Sequence, residues 1–136
     1  MGKVRLFVLV FLIGFILNAV WELLHYGLYY DLLGIAKYPH LLLATFTDAV
    51  IIVGIFLIVS LVSRGVDWVR KPLVWNYLVV VLLGFCVAVF IEVRALGTGR
   101  WAHKPLMPTL FGVGFSPLLQ LATAGVLTLL IVGRFK

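Results

Sequence analysis

Residues 6–29, "LFVLVFLIGFILNAVWELLHYGLY", form an apolar run that decides the class of fold. An α-helix rises about 1.5 Å per residue, so about 20 apolar residues cross the roughly 30 Å of hydrocarbon in a membrane. Similar apolar runs follow at 42–63, 73–93 and 117–134. The sequence therefore predicts an all-α, polytopic membrane protein. It forms a single domain over residues 1–136, a four-transmembrane-helix bundle with a long outer loop at 94–116.

The composition agrees with this class. Hydrophobic residues make up 64% of the chain and charged residues only 12%, whereas about 25% of a typical soluble domain is charged. The net charge is +6, but the basic residues are scattered at the ends of apolar runs. They form no stripe with interleaved aromatics, which excludes nucleic acid as a partner. The single Cys86 lies in an apolar run and indicates nothing about the redox compartment.

The sequence leaves the start of the fourth helix open. Ser116-Pro117 has the pattern of an N-cap followed by proline at the first helical position, which places the helix start at 117. The first alternative is a helical 109–115 segment with a kink at Pro117. The second is a short re-entrant segment packed on protein.

The distribution of Lys and Arg predicts the orientation in the membrane. The basic residues of the two termini and of the 64–72 loop fall on one side: Lys3, Arg5, Arg64, Arg70, Lys71, Arg134 and Lys136. The opposite side has fewer: Lys37, Arg94, Arg100 and Lys104. We therefore expect a multi-pass protein of the cell membrane with both termini in the cytoplasm. The basic residues of 94–104 oppose the rule, which indicates a specific role for that loop.

Polar residues inside the predicted helices concentrate in the outer half of the bundle. Asn18, Glu22 and His25 follow at spacings that place them on one helical face. The other polar residues at this depth are Asp48, Glu92 and Gln120. The inner half is almost purely apolar. This layering predicts a polar chamber covered by the 94–116 loop, and ionisable residues inside a membrane are functional candidates by default.

The preferred hypothesis is a pocket for an amphiphilic lipid or isoprenoid, with acid/base catalysis by its ionisable residues. The surroundings of each carboxyl group would decide which acts as acid and which as base. The candidate catalytic residues are Glu22, His25, Asp48 and Glu92. The candidate ligand-binding residues are Asn18, Trp21, Arg94, Arg100, Trp101 and Gln120. Arg100 would contact the polar head of the ligand, Trp21 and Trp101 would line the pocket, and Arg94 or Arg100 could pair with a carboxylate.

Other interpretations stay open at this level. Glu22 and His25 form an ExxH pair, which is half of a carboxylate di-iron site, but the sequence has no second pair. A single metal ion held by the four candidate catalytic residues is the remaining metal hypothesis, and no cofactor is identified. The polar layer could also be a hydrogen-bond network that only locks the helices together. The protein would then be a non-enzymatic subunit or assembly factor of a membrane complex, or a homo-oligomer.

Two further expectations concern single residue types. His40 and His103 lie in the predicted outer loops and are expected to be surface histidines. Gly54, Gly84 and Gly125 lie within apolar runs. They are expected to allow close helix packing, as small residues do at helix interfaces in membranes.

One set of residues extends over nearly the whole chain: Asn18, Trp21-Glu22, His25, Asp48, Glu92, Gly99-Arg100-Trp101, Met107-Pro108, Gly114, Pro117 and Gln120. This set resembles a group of small four-helix bacterial and archaeal membrane proteins, which implies the fold and no particular activity. A second, shorter set is Glu92 followed by Thr98-Gly99-Arg100-Trp101. It is similar to membrane carotenoid cyclases and hydratases, and to four-helix sterol isomerases. These families imply an acidic glutamate, a neighbouring His or Asp, and aromatics that stabilise a carbocation; the matching residues are Glu22, His25, Glu92 and Trp101.

Overall fold

The computed structural model describes residues 2–135, which form a bundle of four long helices. The helices are α1 (Lys3–His25), α2 (Lys37–Val62), α3 (Val74–Gly97) and α4 (Phe115–Val132). Short 3₁₀ turns follow α1 at Tyr26–Leu28 and precede α3 at Asp67–Arg70. All four long helices have the length and apolar composition needed to cross a membrane. The predicted four-helix architecture is therefore confirmed, and the chain is compatible with a multi-pass membrane protein.

Three helices begin earlier in the chain than the sequence pattern predicts: α1, which begins at Lys3 instead of 6, and α2 and α4. Helix α2 begins at Lys37 instead of 42, and α4 begins at Phe115, with Gly114 as an extended N-cap, instead of at 117. In both cases a proline, Pro39 or Pro117, lies in the first helical turn. The first backbone N–H groups of a helix have no intrahelical acceptor, so proline is tolerated there. The hydroxyl group of Ser116 is therefore not an N-cap and is free to bond elsewhere.

Two short antiparallel sheets, absent from the sequence prediction, connect the helices. Strand β1 (Tyr29–Asp31) pairs with β2 (Trp101–His103), and β3 (Thr109–Leu110) pairs with β4 (Val113–Gly114). The segment 109–114 is thus a hairpin and neither a helix nor a re-entrant segment. Its turn residues Phe111 and Gly112 both have positive φ, 50° and 79°, as a tight two-residue hairpin turn requires.

The helices pack unevenly around the bundle. The most extensive contacts join α3 to α4 and α1 to α2, and α1 also packs on α4. The contact between α2 and α3 is much smaller. Buried apolar side chains form the centre: Val10, Ile52, Phe56, Val80 and Leu129.

The bundle has two chemically different ends. We call the end at which α1 and α3 finish the Glu22 end, and the opposite end the Trp68 end. The β1–β2 sheet lies at the Glu22 end because β1 follows α1 and β2 follows α3. Both ends of the described chain lie at the Trp68 end, together with the connection between α2 and α3. Lys136, one of the residues used to predict orientation, lies outside the described residues.

Glycine allows the close approach of α3 and α4. A Cβ atom added at Gly84 would lie 2.7 Å from the backbone nitrogen of Ala122, and one added at Gly125 would lie 3.2 Å from Val80 Cγ1. A Cβ atom at Gly54 would meet nothing within 4 Å. The prediction of close packing is therefore confirmed for Gly84 and Gly125 and wrong for Gly54, which lies on an open part of α2.

Replacing Gly84 by alanine is expected to destabilise the bundle, because the backbone of α4 would have to move away. Overpacking of this kind costs about 1–3 kcal/mol. The matched variant Gly54→Ala should be neutral or more stable, since alanine favours a helix by up to about 1 kcal/mol over glycine. Reversible unfolding in mixed detergent micelles measures both. Equal stability of the two variants would contradict the close α3–α4 contact.

Candidate functional site

A cavity of about 320 Å³ lies at the Glu22 end of the bundle. Its polar lining comes from all four helices and includes Glu22, His25, Asp48, Glu92 and Gln120. The structure thus brings the four predicted catalytic residues to one cavity, but to two separate places in it. We call the first place the carboxyl pair, Glu22 with Asp48, beside which His25 lies, and the second the Glu92 cluster, Glu92 with Tyr29, Trp101 and His103.

The side-chain amide of Gln120 joins three helices at the carboxyl pair. Its Nε2 atom lies 2.8 Å from Glu22 Oε1, 2.8 Å from Asp48 Oδ2 and 3.1 Å from Asn18 Oδ1. The Asn18 amide nitrogen donates to the carbonyl of Gly14 at 2.8 Å, which turns its oxygen towards Gln120. An amide nitrogen has two hydrogens, so the three acceptors share them. Gln120, which is oriented by Asn18, therefore holds the two carboxyl groups in place.

The Glu22 and Asp48 carboxyl groups lie side by side, because one oxygen atom of each is 2.8 Å from the same Gln120 nitrogen. Two ionised carboxylates this close repel each other, which favours a proton on one of them. Neither of the predicted arginine partners compensates their charge. Among residues 2–135, every ion pair to Asp or Glu comes from a histidine, and the pairs are His25–Glu22, His40–Asp31 and His103–Glu92.

A chain of hydrogen bonds leads from the carboxyl pair to Trp21. His25 Nε2 lies 3.3 Å from Glu22 Oε2, and His25 Nδ1 lies 2.8 Å from the Ser116 hydroxyl oxygen, which accepts from Trp21 Nε1 at 3.2 Å. Because the indole N–H can only donate, the Ser116 hydroxyl group is free to donate to Nδ1. The neutral tautomer with hydrogen on Nε2 then donates to Glu22. Trp21 therefore lies behind the pocket and supports it through Ser116.

The Glu92 cluster holds the β1–β2 sheet over the cavity. The Glu92 carboxylate is almost completely buried, at 1% exposure. It accepts hydrogen bonds from His103 Nε2, from Trp101 Nε1 at 3.2 Å and from the Tyr29 hydroxyl group at 3.4 Å. A Cβ atom at Gly114 would lie only 3.0 Å from Glu92 Oε1, so the backbone of β4 packs closely against the cluster. With three donors around it, Glu92 acts here as an anchor for the sheet.

Tyr29 lies at the centre of this arrangement. Its ring packs edge-on against His25, Trp101 and His103, with centroid distances of 5.5–5.8 Å. Burial, and next the negative charge of Glu92, raise the pKa of Tyr29 well above its ordinary value. Its hydroxyl group therefore stays protonated and remains a donor to Glu92.

The remaining predicted ligand-binding residues have different positions. Arg100 and Trp101 line the cavity, and the Arg100 guanidinium lies 5.9 Å from the centre of the Trp101 ring. Arg94 is exposed on the outer face of α3, beside Phe90, and does not line the cavity. The sequence pattern could not separate the two arginines because both follow the third apolar run.

The two histidines predicted to lie on the surface are both partly buried. His103 joins the Glu92 cluster, and His40 lines the cavity 3.6 Å from Asp31. Alternation along β2 places Trp101 and His103 on the same face, which is how both reach Glu92. Recognising the segment 101–103 as a strand would have identified His103.

Comparisons with known proteins add no family to this description. No protein-family model, curated protein or solved structure matches the chain. Among residues 2–135, no group of three or more His, Cys, Asp or Glu side chains is arranged to hold a metal ion. The geometry of the cavity is therefore the basis for the function proposed below.

Replacing Glu92 by glutamine is expected to loosen the β1–β2 sheet. The amide nitrogen of glutamine is a hydrogen-bond donor, and it would face the donors of Tyr29, Trp101 and His103 in place of a carboxylate oxygen. Losing such a buried acceptor costs about 1–3 kcal/mol. Backbone amides of 101–103 should then exchange hydrogen for deuterium roughly tenfold faster or more. Arg94→Gln, two residues further along α3 but exposed, is the matched control. Unchanged exchange in Glu92→Gln would show that Glu92 does not anchor the sheet.

Proposed function

We propose that this protein is an integral membrane protein that binds an amphiphilic lipid or isoprenoid and transfers protons to and from it. The observation that carries the proposal is a cavity with one polar and one apolar side. The polar side has the carboxyl pair, in which Glu22 and Asp48 both accept from the Gln120 amide. The apolar side is formed by Leu41, Ala44, Ala88, Ile91 and Leu121. A ligand with a polar part and a hydrocarbon part matches such a lining.

The carboxyl pair supports proton transfer as the chemistry. One member would donate the shared proton to the ligand, and the other would accept a proton from a neighbouring atom. For a carbon–carbon double bond, the sum of the two steps moves the bond and needs neither an oxidant nor a second reactant. The proton would then return directly between the two neighbouring carboxyl groups, while His25 holds Glu22 in position. Tyr26, Tyr29 and Trp101 line the same cavity and would stabilise a cationic intermediate.

We also propose the cell membrane as the location, with both termini in the cytoplasm. The excess of Lys and Arg at the Trp68 end supports this orientation. The cavity would then open in the outer half of the membrane, and its immediate partners would be membrane lipids. Lys37, Arg100 and Lys104 at the Glu22 end would lie at the level of the lipid head groups.

The Glu92 cluster supports a second candidate function. Its carboxylate is fully paired within the protein, as expected of a layer that only locks helices together. In this alternative the protein is a non-enzymatic subunit or assembly factor of a larger membrane complex, or a homo-oligomer. The size of the cavity favours the ligand-binding function, because a purely structural layer has no need for an open volume.

The binding function predicts that the purified protein retains an amphiphile in the cavity. Native mass spectrometry from mild detergent should detect it as added mass, and the variant Ala44→Trp, which fills the cavity, should lose most of it. Leu42→Trp is the matched control, because Leu42 lies two residues away on the same helix but is 62% exposed and does not line the cavity. Equal retention by both variants would contradict binding in the cavity.

The same preparations test proton transfer. After incubation in deuterated buffer, the ligand extracted from the wild-type protein should contain deuterium bound to carbon. The ligand from Asp48→Asn should contain none, because that variant has lost the shared proton. A ligand that stays bound without taking up deuterium in the wild-type protein would contradict the catalytic part of the proposal and leave the binding part intact.

A further inference from the structure

One side of the cavity is also part of the outer surface of the bundle. Leu43 and Thr47, one turn apart on α2, line the cavity and are both exposed. Leu43 has 55% of its surface accessible. A buried pocket is lined by buried residues, so these two mark a place where the cavity reaches the outside of the helix bundle.

This place lies between α2 and α3, the adjacent helices with the smallest mutual contact. On the side of α3 the cavity is lined by Ala88 and Ile91. Ala44 on α2 and Ala88 on α3 have small side chains, which leave the space between the two helices unfilled. The gap leads to the cavity whose polar side has Glu22 and Asp48. We call this gap the side opening and define it by Leu43, Thr47 and Ile91.

We propose that the side opening is the entrance to the site, so that the ligand of the carboxyl pair reaches it from the lipid phase. The ligand is then a molecule dissolved in the bilayer, with a hydrocarbon chain able to pass between α2 and α3, and not a water-soluble metabolite. This inference rests on the proposed membrane location and on the proposed function of the cavity. It adds the route and the class of ligand.

A second route to the cavity must be distinguished from the first. Asp31, His40 and Arg100 also line the cavity, at the level of the β1–β2 sheet. An entrance there would admit a water-soluble ligand from the aqueous side. The two routes differ in the solubility of the reagents that they admit, which allows them to be separated without knowing the ligand.

The test uses two carbodiimides on the full-length protein in lipid vesicles. Dicyclohexylcarbodiimide dissolves in lipid, whereas a carbodiimide with a charged tertiary amine dissolves in water. Either takes the proton of a carboxylic acid on nitrogen and bonds the carboxyl oxygen to its central carbon. The adduct rearranges to a stable acylurea with no leaving group. Each reagent is supplied on both sides of the membrane, because Asp67 and the cavity lie at opposite ends of the bundle. Peptide mass spectrometry then measures the rate of modification at Glu22 and Asp48, and exposed Asp67 serves as the water-accessible reference.

The proposal predicts that the lipid-soluble reagent modifies the carboxyl pair and that the water-soluble reagent modifies only the reference. Leu43→Trp should slow modification of the pair by about tenfold, which corresponds to a barrier raised by about 1.4 kcal/mol. Leu43→Ala should accelerate it. The neighbouring exposed Leu42 provides controls, Leu42→Trp and Leu42→Ala, that should match the wild-type rate.

Modification of the pair by the water-soluble reagent at a comparable rate would overturn the proposal in favour of the aqueous route. Equal rates in the Leu43 and Leu42 variants would also overturn it, and so would a pair that neither reagent modifies. Leu43→Ala keeps the proposal testable even if Leu43→Trp fails to fold, because the smaller side chain should make the pair label faster than in the wild type. The result is independent of ligand retention, so this inference can fail while binding in the cavity is still observed.

Discussion

The two carboxyl groups of Glu22 and Asp48 lie within an apolar helix bundle, and among the described residues no arginine or lysine is paired to them. The rest of the Glu22 end depends on the need to compensate these two groups. Removing an ion from water costs several kcal/mol even after relaxation. The chain offers the pair the amide of Gln120 and the imidazole of His25, and the proposed shared proton would meet the rest of the cost. Because Glu22 and His25 lie on α1, Asp48 on α2 and Gln120 on α4, the pair also determines how these helices meet.

The third buried carboxylate meets the same constraint in a different way. Glu92 lines the cavity but accepts hydrogen bonds from three donors, Tyr29, Trp101 and His103. It therefore fixes the sheet that covers the site, whereas the proposed proton transfer uses Glu22 and Asp48. In this proposal one carboxylate has a structural role and the other two have a chemical role. This division also explains how a single polar layer can both lock a bundle and contain a cavity.

The four helices followed from the length and hydrophobicity of the apolar runs, and the convergence of Glu22, His25 and Asp48 followed from helical spacing and depth. The remaining features depend on contacts distant in sequence. The β1–β2 sheet forms because Glu92 accepts from residues on both of its strands, and three-residue strands have no periodic signal of their own. The hydrogen bond between Ser116 and His25 depends on how α4 is rotated about its axis, and the exposed position of Arg94 depends on the rotation of α3. A sequence pattern of apolar runs does not determine these rotations.

The central claim is that Glu22 and Asp48 share one proton within the bundle, and infrared spectroscopy of the protein in lipid membranes at neutral pH tests it most directly. The account predicts a carbonyl band of a protonated carboxyl group that shifts in deuterated water. The band should change its frequency in both Asp48→Asn and Glu22→Gln, since the remaining carboxyl group has lost the partner with which it shares the proton, and it should be unchanged in Asp31→Asn. A wild-type protein without such a band, or a band unchanged in both variants of the pair, would contradict the account.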